Sequence, residues 1–345
     1  MSQIGSGEHG NTATLGSRQS LSVSVALCTY QGGRYLQEQL ESLLTQSTLP
    51  NEIVAFDDVS KDDTLEQLKT FAGRATERGI KVTVSGNPSN LGYVKNFTQA
   101  LLAAEGDLIF LCDQDDVWHP NKLRRFAEEF ERRPDLLMLH SNAALVDASG
   151  ASLNRTVFEA FEVTRDELNA IHDGEAFKVL VKRNVATGAT MAIRRSVIEK
   201  GFEVPSGWIH DEWLAMLAAT QGRVDCLEES TIDYRQHDKN QVGARPRGIM
   251  ERITGGAVTR TAFMARLLLR TQSLMDQAEA GSIHLTDPVK HMLSERLKHA
   301  QLRADLPQAI TARTVAVLRE YASGRYTQFS NGIKSVLSDI SKIRG

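Results

Sequence analysis

Apolar and polar positions alternate in blocks along the first third of the chain. Leucines recur at helical spacing over residues 34–46, another helix begins near Ser60, and a shorter one is expected over residues 96–104. Short apolar, β-branched runs predict buried strands at residues 22–28, 52–56, 80–84 and 108–112. This regular alternation of strands and helices predicts an α/β fold built on a mostly parallel sheet.

The pattern becomes less regular after Pro120. A charged helix is expected to about Arg133, and residues 150–180 are polar and irregular except for a helical piece near 174–182. Further strands are predicted at residues 136–140, 187–193 and 231–242, and further helices at residues 196–200 and 211–220.

The last hundred residues carry a helical pattern only. Pro246 marks a hinge, after which amphipathic helices are predicted at residues 258–280, 286–305, 308–322 and 327–342. We therefore expect three parts: a flexible polar tail over residues 1–20, an α/β domain over 21–244 and a helical region over 245–345.

Polar residues cluster where three of the predicted strands end. Thr29 and Tyr30 follow the first strand, Asp57 and Asp58 close the second, and residues 113–116 follow the fourth. In parallel α/β sheets, ligands bind outside the carboxyl ends of the strands. The coincidence of these clusters predicts a binding site at that edge of the sheet.

Charge is distributed unevenly along the chain. Residues 241–345 contain 16 Lys and Arg against 8 Asp and Glu, a net charge of +8, so residues 1–240 carry −11. An acidic domain argues against nucleic acid as its partner and suits a carboxylate metal site. The basic region could face an anionic membrane surface, with a solvated helical face as the alternative.

Other features of the composition limit the cellular setting. Three cysteines without a Cys-x-x-Cys pair favour small buried side chains in a reducing compartment over disulfides or zinc. The chain has neither an apolar stretch of membrane-spanning length nor an apolar leader in its first twenty residues. We therefore expect a cytoplasmic protein.

The segment Asp113-Gln114-Asp115-Asp116 places three carboxylates within four residues. Carboxylates this close repel each other unless a cation neutralises them, and their oxygens suit Mg²⁺ or Mn²⁺ held together with substrate phosphates. The alternative is structural, with Asp116 capping the turn that follows.

Two other segments carry candidate chemistry. Asp58 lies where a carboxylate could accept hydrogen bonds from a base or ribose, although Ser60 and Asp62 also suit a plain helix cap. Asp211 has the short reach and titratable character of a general base, whereas His237 could be a metal ligand or a structural hydrogen-bonding residue. No Gly-x-Gly-x-x-Gly or Walker-type loop accompanies the strands, which disfavours dehydrogenases and P-loop phosphotransferases.

Taken together, these motifs resemble an inverting glycosyltransferase of family 2 with the GT-A fold. The resemblance covers roughly residues 22–243. Its last two segments have the forms Asp-Gln-Asp-Asp-x-Trp and His-Asp-x-Trp, which are similar to the rhamnosyltransferase-like branch of that family. It rests on five segments in order: Ser24–Gly33, Asp57–Asp62, Asn90–Gly92 with Asn96, Asp113–Trp118, and His210–Trp213.

The resemblance implies a role for each candidate residue. Asp115 would be the principal metal ligand, with His237 completing the metal shell. Asp211 would deprotonate the acceptor hydroxyl. The donor nucleotide would be contacted by Thr29, Tyr30, Asp58, Asn96 and Asp113, the last of these touching the ribose or the metal.

The activity so implied is a metal-dependent, inverting transfer of a sugar from a nucleotide-sugar donor. The branch suggests L-rhamnose from dTDP-rhamnose, moved to a hydroxyl of a cell-surface glycan or lipid-linked precursor. The basic C-terminal helices would provide a peripheral membrane contact or a homodimer interface. A nucleotidyltransferase and a non-catalytic nucleotide-sugar-binding scaffold remain as alternatives.

Overall fold

The computed structural model describes residues 20–198, 202–238, 260–281 and 283–341. All but Ser20 of the predicted tail lies outside these ranges, as do the predicted domain boundary at residue 244 and the hinge at Pro246.

The first half of the chain forms the expected parallel sheet. Its strands are β1 (Val23–Thr29), β2 (Glu52–Asp57), β3 (Lys81–Gly86) and β4 (Leu108–Cys112). They pair side by side in the order β3-β2-β1-β4, all parallel. The connecting helices are α1 (Leu36–Leu44), α2 (Thr64–Glu77) and α3 (Tyr93–Ala103). The prediction of an α/β fold is confirmed.

The second half extends the same sheet beyond β4. Its strands are β5 (Val117–Trp118), β6 (Leu136–Val146), β7 (Ser152–Thr156), β8 (Met191–Arg194) and β9 (Arg223–Arg235). Its helices are α4 (Lys122–Arg132), α5 (Val157–Ala160), α6 (Arg165–His172), α7 (Ala176–Leu180) and α8 (His210–Gln221). The order continues β4-β8-β6-β9-β5, in which β8 is antiparallel to both neighbours and β6 is parallel to β9.

The structure corrects the sequence prediction at several places in this half. Residues 150–180, expected to be mostly irregular, contain β7, α5 and α6, and both helices begin with a Thr-x-x-Glu capping box. The strand predicted from residue 187 begins only at Met191, after a 3₁₀ turn over Gly188–Thr190. The helix predicted at 196–200 is a 3₁₀ turn over Arg195–Val197. The strand predicted from residue 231 begins at Arg223.

The central strands are mostly apolar because helices cover both faces of the sheet. Along β1, Val25 and Leu27 join the core on one face, whereas Ala26 and Cys28 join the core on the other. Ser24 and Glu52 are buried at the amino ends of β1 and β2, where they bond to each other, and Thr29 and Asp57 lie at the carboxyl-end edge.

The C-terminal region consists of helices α9 (Arg260–Glu279), α10 (Asp287–Ala304), α11 (Ile310–Ala322), α12 (Arg325–Phe329) and α13 (Ile333–Ser341). The single helix predicted over residues 327–342 is therefore two, separated by Gly332 at φ 53°. Leu274 and Leu293 join the core beneath α8, so this region packs on the α/β domain. Within the described ranges, no helix is long and apolar enough to cross a membrane.

Candidate active site

A cavity of about 1050 Å³ opens at the carboxyl-end edge of the sheet. It is formed by the ends of β1, β2, β4 and β9, the turn at Gly188 and the start of α8. All eight residues singled out from the sequence line it: Thr29, Tyr30, Asp58, Asn96, Asp113, Asp115, Asp211 and His237. The structure thus brings together residues that are up to about two hundred positions apart.

The two carboxylates that end β2 have different surroundings. Asp57 accepts hydrogen bonds from the Thr29 hydroxyl (2.9 Å) and from the amide and hydroxyl of Ser60, so it braces the loop. Asp58 accepts the backbone N–H groups of Leu91 and Gly92, each at 2.8 Å, and lines the cavity. Asp58 therefore holds the loop before α3 against the candidate nucleotide site.

Asn96 lies on the same side of the cavity. Its Nδ2 donates to the Phe56 carbonyl (2.9 Å), and its Oδ1 accepts from Asn87 (2.8 Å). It is buried, and it fixes α3 to the end of β2. Asn96 thus shapes the cavity wall through bonds within the protein.

Gln114 is a site residue whose role the sequence analysis missed. Its Oε1 accepts the Tyr30 N–H (2.7 Å) and its Nε2 donates to the Tyr30 carbonyl (3.0 Å), which joins the ends of β1 and β4. A Cβ at Gly32 would lie 2.3 Å from that Oε1, so a larger residue there would displace the Gln114 side chain from this position. The sequence showed the Gly-bearing turn after β1, but it gave no sign that Gln114 would bond to that turn.

The acidic segment after β4 concentrates negative charge at the cavity floor. Burial, together with the nearby Asp115 and Asp211 carboxylates, raises the pKa of Asp113 to about 7. Asp116 is 1% exposed, and burial beside the other two carboxylates raises its pKa well above the ordinary value. This charge would favour a bound cation.

Asp116 does not cap the turn that follows. Its Oδ1 accepts the backbone N–H of Arg235 on β9 (3.0 Å), and its Oδ2 has no hydrogen-bond partner among the described residues. The capping alternative considered from the sequence is therefore wrong, because the carboxylate points to a neighbouring strand.

Asp115 and His237 meet across the cavity. The Asp115 Oδ2 and the His237 Nε2 lie 2.8 Å apart, and the imidazole stacks on the Tyr35 ring with 4.8 Å between centroids. Arg235 supports the pair by donating from Nε to the Asp115 carbonyl (2.8 Å). The contact joins the acidic segment to the end of β9, as expected if both residues serve one ion.

These residues fit a divalent cation. Carboxylate oxygens and one imidazole are a donor set that Mn²⁺ and Mg²⁺ sites use, and the pKa of Asp113 is raised by burial and then by carboxylate charge, which a cation would offset. Asp115 and His237, whose ligand atoms lie 2.8 Å apart, could hold such an ion with Asp113 beside them.

Asp211 lies at the start of α8 and lines the same cavity. Its Oδ2 accepts the Gly188 N–H (3.0 Å) and its Oδ1 accepts the Glu212 N–H (2.7 Å), which fixes the carboxylate. Burial raises the pKa of Asp211, and these hydrogen bonds oppose that rise. A fixed carboxylate of increased basicity is suited to accept a proton.

His210, next to Asp211, is an uncharged wall residue. Its ring stacks on Phe97 with 4.1 Å between centroids, and burial lowers the pKa of His210 to about 3. It is therefore neutral at physiological pH, and the negative charge at this end of the cavity belongs to Asp211.

Lys122 is a second residue that the sequence analysis missed. It is 1% exposed, lies 3.9 Å from the centre of the Trp118 ring, and donates from Nζ to the Ala189 carbonyl (2.7 Å). Burial lowers the pKa of Lys122 to about 7. The sequence signal for its burial is that Lys122 lies four positions before Phe126, on the inner face of α4.

Another group of potential metal ligands lies away from this cavity. One ligand atom from each of His172, Asp225 and Cys226 lies within 4.8 Å of the others. Asp225 already pairs with Arg133 and with His172, and burial raises the pKa of the Cys226 thiol to about 12. The Asp225 carboxylate is thus engaged in ion pairs, which makes this group part of a structural ion-pair cluster.

Comparisons with known proteins show the family to which the chain belongs. Residues 24–202 match the model of "Glycosyl transferase family 2". An uncharacterized glycosyltransferase of Nostoc sp. is 27% identical over 224 residues, which cover 64% of this chain and 66% of that protein. The dTDP-rhamnosyl transferase RfbG of Shigella flexneri is 25% identical over 63% of this chain and 74% of its own. Uncharacterized mycobacterial relatives are matched over 59% of their length.

Solved structures show the same fold. Residues 1–349 of S. aureus TarS, in complex with UDP-GlcNAc, superpose with a TM-score of 0.58 at 18% identity, covering 94% of this chain and 90% of that one. A mannosyltransferase from Pyrobaculum calidifontis, in complex with GDP-Man and Mn²⁺, gives a TM-score of 0.50 at 17% identity, covering 93% and 79%. Because the family model matches more than half of the chain, the protein belongs to glycosyl transferase family 2.

Proposed function

We propose that the protein is a metal-dependent, inverting glycosyltransferase that uses a nucleotide-sugar donor. The observation that carries the proposal is one cavity that brings Asp113, Asp115 and His237 together with a buried, hydrogen-bonded Asp211. An inverting transfer needs a diphosphate-binding site and a base that reach the same sugar.

The nucleotide would occupy the side of the cavity formed by Thr29, Tyr30, Asp58 and Asn96. Asp58 lies at its edge, with its carboxylate oriented by the amides of Leu91 and Gly92. The exposed ring of Tyr30 would cover the base or ribose.

The metal would be held by Asp115 and His237, with Asp113 beside them. Bound there, a divalent cation supplies Lewis-acid stabilisation of the charge that develops on the leaving diphosphate. Arg235 keeps the Asp115 backbone in place, so the ligands are positioned before the donor arrives.

Asp211 would act as the base. The acceptor oxygen attacks the anomeric carbon, the bond from that carbon to the diphosphate oxygen breaks, and the hydroxyl proton passes to the Asp211 carboxylate. Direct displacement by one attack inverts the anomeric configuration. The Gly188 and Glu212 amides keep the carboxylate aimed during the transfer.

For the substrates, we propose L-rhamnose from dTDP-rhamnose and a glycan or lipid-linked precursor in cell-surface polysaccharide or lipopolysaccharide synthesis. Support comes from the Asp-Gln-Asp-Asp-x-Trp segment and from the similarity to a rhamnosyl transferase of Shigella flexneri. The proposed location is the cytoplasm, at the inner face of the plasma membrane, with a lipid surface or a second copy of the chain as a partner of the C-terminal helices.

The first test is thermal unfolding with dTDP, UDP or GDP, each with and without Mn²⁺. A ligand that binds only the folded state at about 100 times its Kd stabilises the protein by roughly 2.7 kcal/mol. We expect a metal-dependent shift, greatest for dTDP, that is lost in Asp115→Asn. No shift with any nucleotide in the presence of metal would argue against a donor site.

Asp211→Asn separates catalysis from binding. We expect it to keep the nucleotide shift but to lower the transfer rate by about 10²–10⁴-fold, because a general base is worth roughly that much. Asp173→Asn is the matched control, since Asp173 is exposed and does not line the cavity. An unchanged rate in Asp211→Asn would remove it as the base.

A further inference from the structure

The C-terminal helices bury charged groups that most helices expose. His299 Nδ1 lies 2.8 Å from Glu320 Oε1, and Arg303 Nε donates to Asp339 Oδ2 at 2.6 Å. The Tyr326 hydroxyl donates to the same Asp339 oxygen at 2.8 Å. All five side chains are buried, so this ion-pair network occupies the inner side of α11 and α13.

Large apolar side chains occupy the outer side of the same helices. We call these residues the outer apolar face; each is between 41% and 62% exposed. Along α11 they follow helical spacing and cover one continuous stripe. The outer apolar face comprises Ile310, Val315, Leu318, Tyr321, Ile333 and Leu337.

An ordinary surface helix turns its apolar stripe to the core and its polar side to solvent. Here the inner sides of α11 and α13 have their own small core, formed by Val317, Val336 and the neighbouring Tyr326, and the outer sides carry a second set of apolar residues. The outer apolar face is therefore not used for packing within the described part of the chain, and a group of exposed apolar residues marks an interaction site.

Charge on this part of the surface has one sign. Residues 306–341, all of which are described, contain two acidic residues, Glu320 and Asp339, and both are buried in the ion-pair network. Arg319 and Lys334, in contrast, are exposed on the two helices that carry the outer apolar face. The face thus combines aliphatic side chains with cations and has no exposed carboxylate.

We propose that the outer apolar face docks on an anionic lipid surface. Helices with an apolar face and flanking Lys or Arg lie in the membrane interface, where aliphatic groups enter the acyl boundary and cations meet anionic headgroups. A second copy of the chain fits less well, because a symmetric contact would bring Arg319 and Lys334 from both copies together without a carboxylate to pair with them.

The inference deepens the proposed function, on which it rests for its purpose: a docked transferase meets lipid-linked acceptors at the membrane. Its test does not require transfer. The full-length protein is mixed with vesicles of phosphatidylcholine alone or with about 30% phosphatidylglycerol, and binding is measured by flotation. We expect binding to the anionic vesicles only, and weaker binding as salt rises from about 0.05 to 0.3 M.

Two double variants separate the components of the face. Leu318→Glu/Leu337→Glu is expected to lower vesicle affinity at least tenfold, on the order of what two lost aliphatic insertions predict. Arg319→Gln/Lys334→Gln is expected to lower it by roughly tenfold or more, since each cation near an anionic surface contributes about fivefold. The matched control is Leu102→Glu/Leu153→Glu, which changes two similarly exposed leucines of the α/β domain and should bind like the wild type.

The outcomes distinguish this inference from the proposed function. Retention of the thermal midpoint and of the nucleotide-induced shift shows that a variant is folded with its donor site intact. If the wild type shows no nucleotide-induced shift, the proposed function is contradicted. The docking proposal is then decided by the vesicle-binding results alone. Equal flotation of wild type and Leu318→Glu/Leu337→Glu, or no flotation of the wild type, would overturn the docking proposal. A dimer broken by the same variant, without vesicle binding, would assign the face to a second copy.

Discussion

Three identical carboxylates after β4 have different chemical environments. Asp113 faces the cavity with a pKa raised to about 7 by burial and by its acidic neighbours. Asp115 pairs with His237, and Asp116 lies deeper, bound to a backbone amide of β9. At the residue scale, position relative to neighbouring strands determines what an aspartate can do, so a motif alone does not assign a role to each of its members.

His140 on β6 provides a prediction at this scale. It is 1% exposed, and burial lowers its pKa to about 4. Between pH 6.5 and pH 4, the unfolded chain binds a proton at this position and the folded chain does not. The contribution of neutral His140 to stability is therefore present above pH 6.5 and is lost as pH falls, by about 1.4 kcal/mol per pH unit.

Urea unfolding of wild type and His140→Leu at several pH values between about 4.5 and 7.5 tests this prediction. His210 and the carboxylates titrate in both proteins, so the difference between the two isolates His140. We expect the free energy of unfolding to decline less steeply with acid in the variant. Parallel curves would show that His140 does not carry the effect.

At the element scale, one buried lysine connects α4 to the turn that holds the proposed base. Lys122 begins α4, next to the acidic segment, and donates to the Ala189 carbonyl in the turn Gly188–Thr190. The same turn donates the Gly188 amide to Asp211 at the start of α8. The position of the proposed base thus depends on α4 through a short turn.

Lys122→Met is expected to leave the buried Ala189 carbonyl without its donor, which costs about 1–3 kcal/mol of unfolding free energy. Because the turn also holds Asp211, we expect kcat to fall while the dissociation constant for dTDP with Mn²⁺ changes little. Arg124→Met, an exposed change on the same helix, is the control. If kcat of Lys122→Met matches that of Arg124→Met, the lysine does not position the base.

On the scale of the whole molecule, the C-terminal region is joined to the start of α8. Arg270 on α9 pairs with Glu212, donates to the Gly207 carbonyl (2.7 Å) and lies over the Trp208 ring, 4.9 Å from its centre. The Trp208 indole in turn donates to Ser273 (2.8 Å). The helical region therefore braces the segment that carries the proposed base.

Arg270→Met is expected to leave the largely buried Glu212 carboxylate unpaired and to lower the free energy of unfolding by about 3 kcal/mol, the lower end of the range for a broken buried pair. Adding Glu212→Gln should restore part of that loss. Arg266→Met is the control, because Arg266 lies 3.7 Å from Glu212 and is half-exposed, which limits its contribution to about 1 kcal/mol or less. Denaturant unfolding measures all four proteins, and similar losses in both arginine variants would contradict the assignment.

Local patterns in the sequence were sufficient for the type of most elements. Strands β1, β2 and β4 are mostly apolar runs, with Ser24 as an interruption in β1, and the clusters at their ends predicted where the cavity would open. The pattern failed over residues 150–180, where short helices depend on capping boxes and on packing more than on periodicity. It also failed at Gly332, where the chain turns between α12 and α13.

The sequence by itself determined the α/β class, the edge of the sheet that carries the site, and the family to which the motifs pointed. Only the tertiary structure decided which side chains meet: His237 reaches Asp115 across 122 positions, and Lys122 reaches Ala189 across 67. It alone also placed Glu320 and Asp339 on the buried sides of α11 and α13 and left Leu318 and Leu337 exposed. The physical reason is that periodicity reports one element at a time, whereas contacts, burial and pKa shifts arise from elements brought together by the fold.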